Sequence, residues 1–520
     1  MTVPGNLSSP LLATAAAAAG AAAPGVRSLR FNSSDSAHLS RTPSSAGNRR
    51  TFTYSCWVKR VRLAFDTWFL RADSGGSSFF LLGFGSNDAF YSSYTAGDSG
   101  AGENYSSQAL RDTAAWYHLV LAWDTTQATA TNRVKMYVNG VQQTLTVSNP
   151  PALNSEYQVN STNEHRIGGM SGSYADFYLT DVYLIDGLAL TPASFGSYDS
   201  NGVWQRGTYS GTFGTNGFHV LDFENEATIG DDSSGNSNDF TANNLSDTAG
   251  AGNDVLLDFP ANGSESDTGA GGEVSGNYPV FQPLLNPVNT LSNGNLDAVA
   301  AGNNRVSLTT IGIPASGKWY FEITDVDSSN GAFIGGIGAE DVSITNYLGT
   351  SSSGWSYQTH ASNAGYWNNN SFSNTGQING HGSNTVLGVA VDRDAGKIWF
   401  SINGTFVNSG NPAAGSNAQY TNLPSTGFLF PGASCAIGKK FVLNAGQRAF
   451  AYSAPSTYKA INTASYPTPT IADGSDHFDT LVWTGANGGT TRSFTGLSFS
   501  PDFVWTKIRS LGYGHQIYDV

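Results

Sequence analysis

Bulky side chains alternate with small or polar ones along most of this chain, and a period of two predicts strands with one buried face. Thr51-Phe-Thr-Tyr-Ser-Cys-Trp-Val-Lys59 has this pattern, and Trp116-Tyr-His-Leu-Val-Leu-Ala-Trp123 reads as a central strand. Arg133-Val-Lys-Met-Tyr-Val138 runs through Asn139-Gly140 into Val141-Gln-Gln-Thr-Leu145, which predicts a hairpin. Asn-Gly supplies the two positive φ angles that a type I′ turn needs. Asp176–Ile185 is another long strand, ended by Asp186-Gly187. A second series follows with Gly317–Ile323, the glycine-rich Phe333–Gly338, and Val386–Asp392. Lys397–Ile402 with the turn Asn403-Gly404, Phe430–Ser434 and Phe441–Asn444 complete it. Phe478–Trp483 and Phe494–Trp505 are strand-like and aromatic.

The exception to this texture is the N-terminus. Ser8 or Ser9 can cap a helix, Pro10 suits its first turn, Leu11–Ala23 propagates it and Pro24-Gly25 stops it. An Ala-rich helix of that length is marginal alone in water. It is expected to pack against its own copies or a docking partner, the alternative being a frayed tail. Met1–Pro10 lacks the Lys or Arg that precedes a secretory h-region. Residues 247–290 are rich in Gly, Ser, Asp, Asn and Pro, and read as an inter-domain connection. The expected organisation is an assembly segment at 1–25, β domains at 26–246 and 291–455 separated by this connection, and a partial β module at 456–520.

Composition narrows the partners. Only 12% of residues are charged and another 12% are aromatic, with 61 glycines. The surface-helix mixture is missing, while ring-bearing core material is plentiful. The expected fold class is all-β, as tandem antiparallel β-sandwiches. A net charge of −14 opposes nucleic acid and anionic membranes as main partners. No run of 18 apolar residues predicts a membrane-spanning helix. Cys56 and Cys435 fall in different expected domains, so no disulfide framework is predicted.

Several segments carry a family resemblance. Ser28-Leu-Arg-Phe31, Thr53–Val58, Trp116–Val120, Val134–Gly140 and Val182–Leu190, in this order and spacing, resemble the laminin-G/concanavalin-A-like lectin family. Leu190–Phe195, Thr215–Phe218 and Asp232–Phe240 look like the version found in tailed-phage virion proteins. Trp319–Glu322, Gly354-Trp-Ser-Tyr357, Leu387-Gly-Val-Ala-Val-Asp392 and the hairpin to Phe406 resemble the SPRY domain. The tail after Pro455 is similar to the opening of a module that follows SPRY in phage tail proteins.

Candidate chemistry is sparse. Glu322, Asp325 and Asp327 form the best carboxylate group, but alternation turns Glu322 away from the other two. Glu224 and Glu226 read as a solvated loop. The histidines have no zinc spacing, and no phosphate loop or nucleophile elbow occurs. The lectin-like resemblance implies a calcium at the sheet rim, with Asp176, Asp181, Asp231 and Asp232 as expected ligands. Aromatic and amide side chains in polar stretches suit sugar recognition, where rings stack on C–H faces and amides bond hydroxyls. These are Tyr91, Tyr94 and Tyr105 in the first domain, and Tyr357, His360, Tyr366, Trp367 and Asn368 in a stretch resembling the variable SPRY loop. The competing reading makes Trp355 and Trp367 caps of the sandwich core.

The resemblance implies a virion structural protein, a tail fibre or spike subunit without enzymatic activity. It would bind host-surface glycans, dock on other virion proteins through its N-terminus and form a homo-oligomer, a trimer being favoured. The alternatives are an architectural head fibre or decoration protein, and a polysaccharide depolymerase.

Overall fold

The computed structural model describes residues 26–74, 78–95, 101–170, 172–225, 228–285, 289–326, 332–360, 363–375, 384–485 and 491–519. The expected N-terminal helix lies outside these residues. The described residues are all-β, with only single-turn 3₁₀ segments besides strands.

The first sandwich faces two eight-stranded sheets. One sheet runs Val141–Gln142, Val134–Val138, Trp116–Asp124, Thr51–Arg60, Phe177–Asp186, Ser28–Phe31 and Val255–Leu256, with Phe218–Val220 also paired to Phe177–Asp186. The other runs Leu145–Ser148, Gly102–Ala109, Ala89–Tyr94, Phe79–Phe84, Thr67–Asp73, Glu164–Ile167, His38–Arg41 and Thr241–Asn243. Phe52, Tyr54, Cys56 and Val58 point into the core from one strand, and Phe80, Leu82 and Phe84 meet them from the facing sheet. The Asn139-Gly140 turn has φ of 47° and 82°, as a type I′ turn requires. Past it the chain divides: Val141–Gln142 stays in the first sheet and Leu145–Ser148 crosses to the second.

The two sheets differ in what covers their outer faces. Over the first, Phe195, Leu190, Tyr209 and Phe213 pack on Val120, Tyr137, Tyr183 and Ile185. Farther along the same face, Trp57, Trp116 and Tyr178 join a core shared with the second domain. Thr51–Arg60 is therefore buried on both sides, and its outward Thr53 and Ser55 are accommodated by hydrogen bonds with Leu188 O at 2.7 Å and His118 Nε2 at 2.9 Å. On the second sheet the outward positions are mostly exposed or half-buried.

The second sandwich pairs a sheet of Thr290–Ser292, Asp297–Val299, Lys440–Asn444, Lys318–Asp325, Thr385–Asp392, Lys397–Ile402 and Thr405–Phe406 with a six-stranded one. The latter runs Arg305–Leu308, Leu429–Cys435, Phe333–Ala339, Gly354–Thr359, Gly365–Asn368 and Ser371–Asn374. Lys459–Ala460 adds in parallel to Lys318–Asp325, so this core takes in Tyr458, Ala460 and Ile461 from beyond residue 455. Within the connecting segment, Leu256, Leu257, Tyr278, Val280 and Phe281 are buried between the domains. Tyr178 Oη donates to Gly294 O at 2.8 Å and Asn295 Nδ2 to Val61 O at 2.6 Å across the same junction. Cys56 and Cys435 are both buried and neither forms a disulfide.

The C-terminal piece departs from its expected strands. Phe503–Thr506 pairs with Gln516–Asp519, but the described parts of 478–500 form none. Its rings find no second layer among the described residues, and Trp505 is 60% exposed.

Candidate binding face

Strand register on the open sheet of the first sandwich builds one aromatic row. Trp68 lies opposite Gly83, Gly83 opposite Tyr91, and Tyr91 opposite Tyr105, which is followed by Thr146 at the edge. The four side chains of this row point away from the core, because Phe69, Phe84, Phe90 and Leu82 occupy its inward positions, yet Trp68 and Tyr91 are only 8% and 7% exposed and Tyr105 is the half-buried ring. The Tyr91 and Tyr105 rings stack with centroids 4.5 Å apart, and Trp68 sits 5.7 Å from Tyr91. A bulge between Trp68 and Leu70 brings the backbone so close that only glycine fits at position 83: a Cβ there would stand 1.6 Å from Thr67 O.

A polar row runs beside the aromatic one. It consists of Thr241, Ser40, Arg166, Arg71, Ser93, Glu103 and Ser148 in register, interrupted by the apolar Leu81 between Arg71 and Ser93. Arg71 pairs with Asp73 and Arg166 with Glu164, so the cations are neutralised on the sheet itself. Tyr91 Oη donates to Glu103 Oε1 at 2.8 Å. Burial, and after it the Glu103 carboxylate, push the Tyr91 phenol up, so it remains a hydrogen-bond donor at any physiological pH. Rings flanked by carboxylate, hydroxyl and guanidinium groups can stack on apolar sugar faces while bonding hydroxyls.

Of the residues expected to contact a partner, Tyr91 and Tyr105 lie together on this face. Tyr94 does not: it is a core side chain 2% exposed, packed on Trp123 and Tyr157, since it stands three positions from Tyr91 and so faces inward. In the second domain, Tyr357 is fully buried against Phe400, and Tyr366 is buried beside it. Both belong to strands, not to a loop. Trp367 points the opposite way and is half-buried between Tyr347 and Phe372, its Nε1 donating to Gln358 Oε1 at 2.9 Å. Asn368 Nδ2 locks the turn by donating to Gly354 O at 2.8 Å, and His360 is half-buried at a strand end. The stretch is thus divided between core and surface.

The four expected calcium ligands do not form one set. Asp176 accepts from Ser33 N and Oγ at 2.7 and 2.8 Å. Asp181 is buried against Arg206 and His219, at 3.0 and 2.8 Å. Asp231 accepts from Thr228, and Asp232 from the amides of His219, Ser234 and Asn238. Among the described residues no group of three or more His, Cys, Asp or Glu is arranged to hold a metal ion. The carboxylate group of the second domain is also committed. Glu322 accepts from the amides of Ala451 and Tyr452 at 2.8 and 2.9 Å, and Asp325 pairs with Lys439 at 3.3 Å. Asp327 and Glu226 lie outside the described residues.

Sequence reasoning missed Trp68, Gly83 and Glu103. Glu103 follows from alternation with Tyr105, but Trp68 joins the row only through a bulge and a register that carry no local signal.

Comparison with known proteins agrees with this architecture. Residues 31–194 match the concanavalin A-like lectin/glucanases superfamily (laminin G type), residues 318–448 the SPRY domain, and residues 473–520 a domain of unknown function, DUF7483. No curated protein matches the chain. Among solved structures, the TRIM65 PSpry domain is similar at 16% identity over 32% of this chain and 92% of that one, with a TM-score of 0.25. The SPRY domain of human HERC1 is similar at 18% identity over 31% and 96%, TM-score 0.25. A native heptameric SAP-like pentraxin from Limulus polyphemus is similar at 15% identity over 32% and 78%, TM-score 0.25. The chain carries a concanavalin A-like domain followed by a SPRY domain.

Proposed function

We propose that this chain is a virion attachment subunit of a tailed phage that binds host-surface glycans through the outer face of its first sandwich, without cleaving them. The register row Trp68–Gly83–Tyr91–Tyr105 with its flanking polar row carries the reading, because it sets the half-buried Tyr105 ring, backed by the nearly covered Tyr91 and Trp68, beside hydroxyl-bonding groups on one sheet face. The low charge of the chain favours neutral partners over polyanions. The tailed-phage assignment rests on the order of the two domains and on the resemblance of residues 190–240 to virion versions of the first. Weak sites of this kind gain strength from repetition, so the subunit acts as a homo-oligomer, a trimer being favoured, docked to other virion proteins by its N-terminal segment.

Glycan arrays probed with the oligomeric protein and with Tyr105→Ala test the proposal. Binding by the parent protein that the variant loses is expected. Blank arrays at high multivalency would leave an architectural role, and sustained release of reducing sugar from host polysaccharide would make the protein a depolymerase.

A further inference from the structure

We propose that Lys59, Asp258 and Asn277 form an autocatalytic cross-linking site that joins Lys59 Nζ to Asn277 Cγ as an isopeptide bond. Lys59 is 0%, Asp258 1% and Asn277 6% exposed, at the junction of the two sandwiches. Lys59 Nζ is 2.8 Å from Asp258 Oδ2, 2.8 Å from Asn277 Oδ1 and 2.6 Å from Tyr278 O. Nucleophile, carboxamide and carboxyl group are therefore gathered on one atom. The reactants are also fixed. Asn277 Nδ2 donates to Ala114 O at 2.7 Å, and Asp258 Oδ1 accepts from Trp116 Nε1 at 3.1 Å. Such preorganisation replaces a bimolecular encounter by an intramolecular one.

The surroundings favour the reactive protonation states. Trp116, Tyr178 and Tyr278 wall the site, with the Tyr178 ring centroid 5.8 Å from Nζ. Burial pushes the Lys59 ammonium down and the Asp258 carboxyl up. Both shifts move the pair toward neutral amine and carboxylic acid, and a desolvated amine is the nucleophilic form.

The reaction balances without a metal, an oxidant or a cofactor. Asp258 holds the proton given up by the Lys59 ammonium and polarises the carboxamide. Nζ attacks Cγ of Asn277 and forms the new C–N bond. A proton from Nζ passes through Asp258 to Nδ2, the Cγ–Nδ2 bond breaks, and ammonia leaves. An amine and a carboxamide become a secondary amide plus ammonia. The bond ties the Thr51–Arg60 strand to the segment that leads into the second sandwich, so it staples the two domains where they meet.

Intact-mass measurement of the full chain, followed by peptide mapping, tests this directly. The expected result is a mass short of the sequence value by one ammonia, with the Lys59 peptide covalently joined to the Asn277 peptide. Asp258→Ala is expected to restore the full sequence mass. A parent protein at full mass, or one short by a water with the join at Asp258, overturns the proposal. A cross-linked Asp258→Ala variant would remove Asp258 from the chemistry. The parent measurement decides the main question even where the variant fails to fold.

Discussion

Trp204 donates its indole N–H to Nδ1 of His118 at 2.9 Å, and that bond dictates the charge of the histidine. Nε2 of the same ring lies 2.9 Å from Ser55 Oγ, to which it donates. A proton on Nδ1 would face the indole N–H head on. His165 is held alike, with Nε2 accepting from Asn160 N and Nδ1 donating to Asn163 O.

Both rings are buried neutral, and the fold loses stability in mild acid as a result. Burial pushes each from its ordinary 6.5 down to about 4. A lowered folded value means that the unfolded chain takes up protons first. The contribution is complete above pH 6.5 and is lost as the pH falls toward 4. Each histidine is expected to take about 2 kcal/mol from the unfolding free energy between pH 7 and pH 5. Urea unfolding of the parent protein and of His118→Gln at the two pH values checks this, the variant having the shallower slope.

Asp181 and Arg206 make a second buried charge relationship. Asp181 sits at a bulge in its strand with φ of 55°. Burial pushes its carboxyl up, but the Arg206 guanidinium and His219 outweigh that and hold it well below the usual carboxylate range. Arg206→Leu strands the carboxylate and is expected to cost about 3–5 kcal/mol in denaturant unfolding. The depressed value also means that this stabilisation is present above pH ~4 and fades as the pH drops further. Asp181→Asn is expected to remove that acid-limb dependence, read from unfolding curves between pH 4 and pH 2.5.

Gly83→Ala tests the bulge under the aromatic row. The added methyl would collide with the Thr67 carbonyl, which is backbone and cannot swing aside. A loss of roughly 3 kcal/mol or more is expected, with the Trp68–Tyr91 contact disrupted. Gly252→Ala meets nothing within 4 Å and serves as the control, staying within about 0.5 kcal/mol of the parent by thermal unfolding.

Tyr105→Ala should separate binding from stability. The ring stacks on Tyr91 outside the core, so the fold is retained while glycan affinity falls roughly tenfold per site. Glu103→Gln keeps the size but removes the charged acceptor of the Tyr91 hydroxyl, and a smaller loss is expected. Titration of an array-selected glycan against each variant measures both.

Much of the fold was legible because strand alternation and turn chemistry are local. Lys397–Ile402 has the bounds its pattern predicts, and Asn139-Gly140 turns as its φ preferences require. The candidate site was half legible. Tyr91 and Tyr105 sit in outward phase on neighbouring strands, but Tyr94 looks the same in sequence and points inward, because facing depends on which neighbour starts the alternation.

Periodicity and turn residues, which act between neighbours in the chain, were enough to make this protein a pair of antiparallel sandwiches. Which face stays open, which tyrosines meet Trp68, and that Lys59 lies beside Asp258 and Asn277 were settled by packing. Those contacts join residues up to some two hundred positions apart, and they form only when register, bulge and domain junction close together.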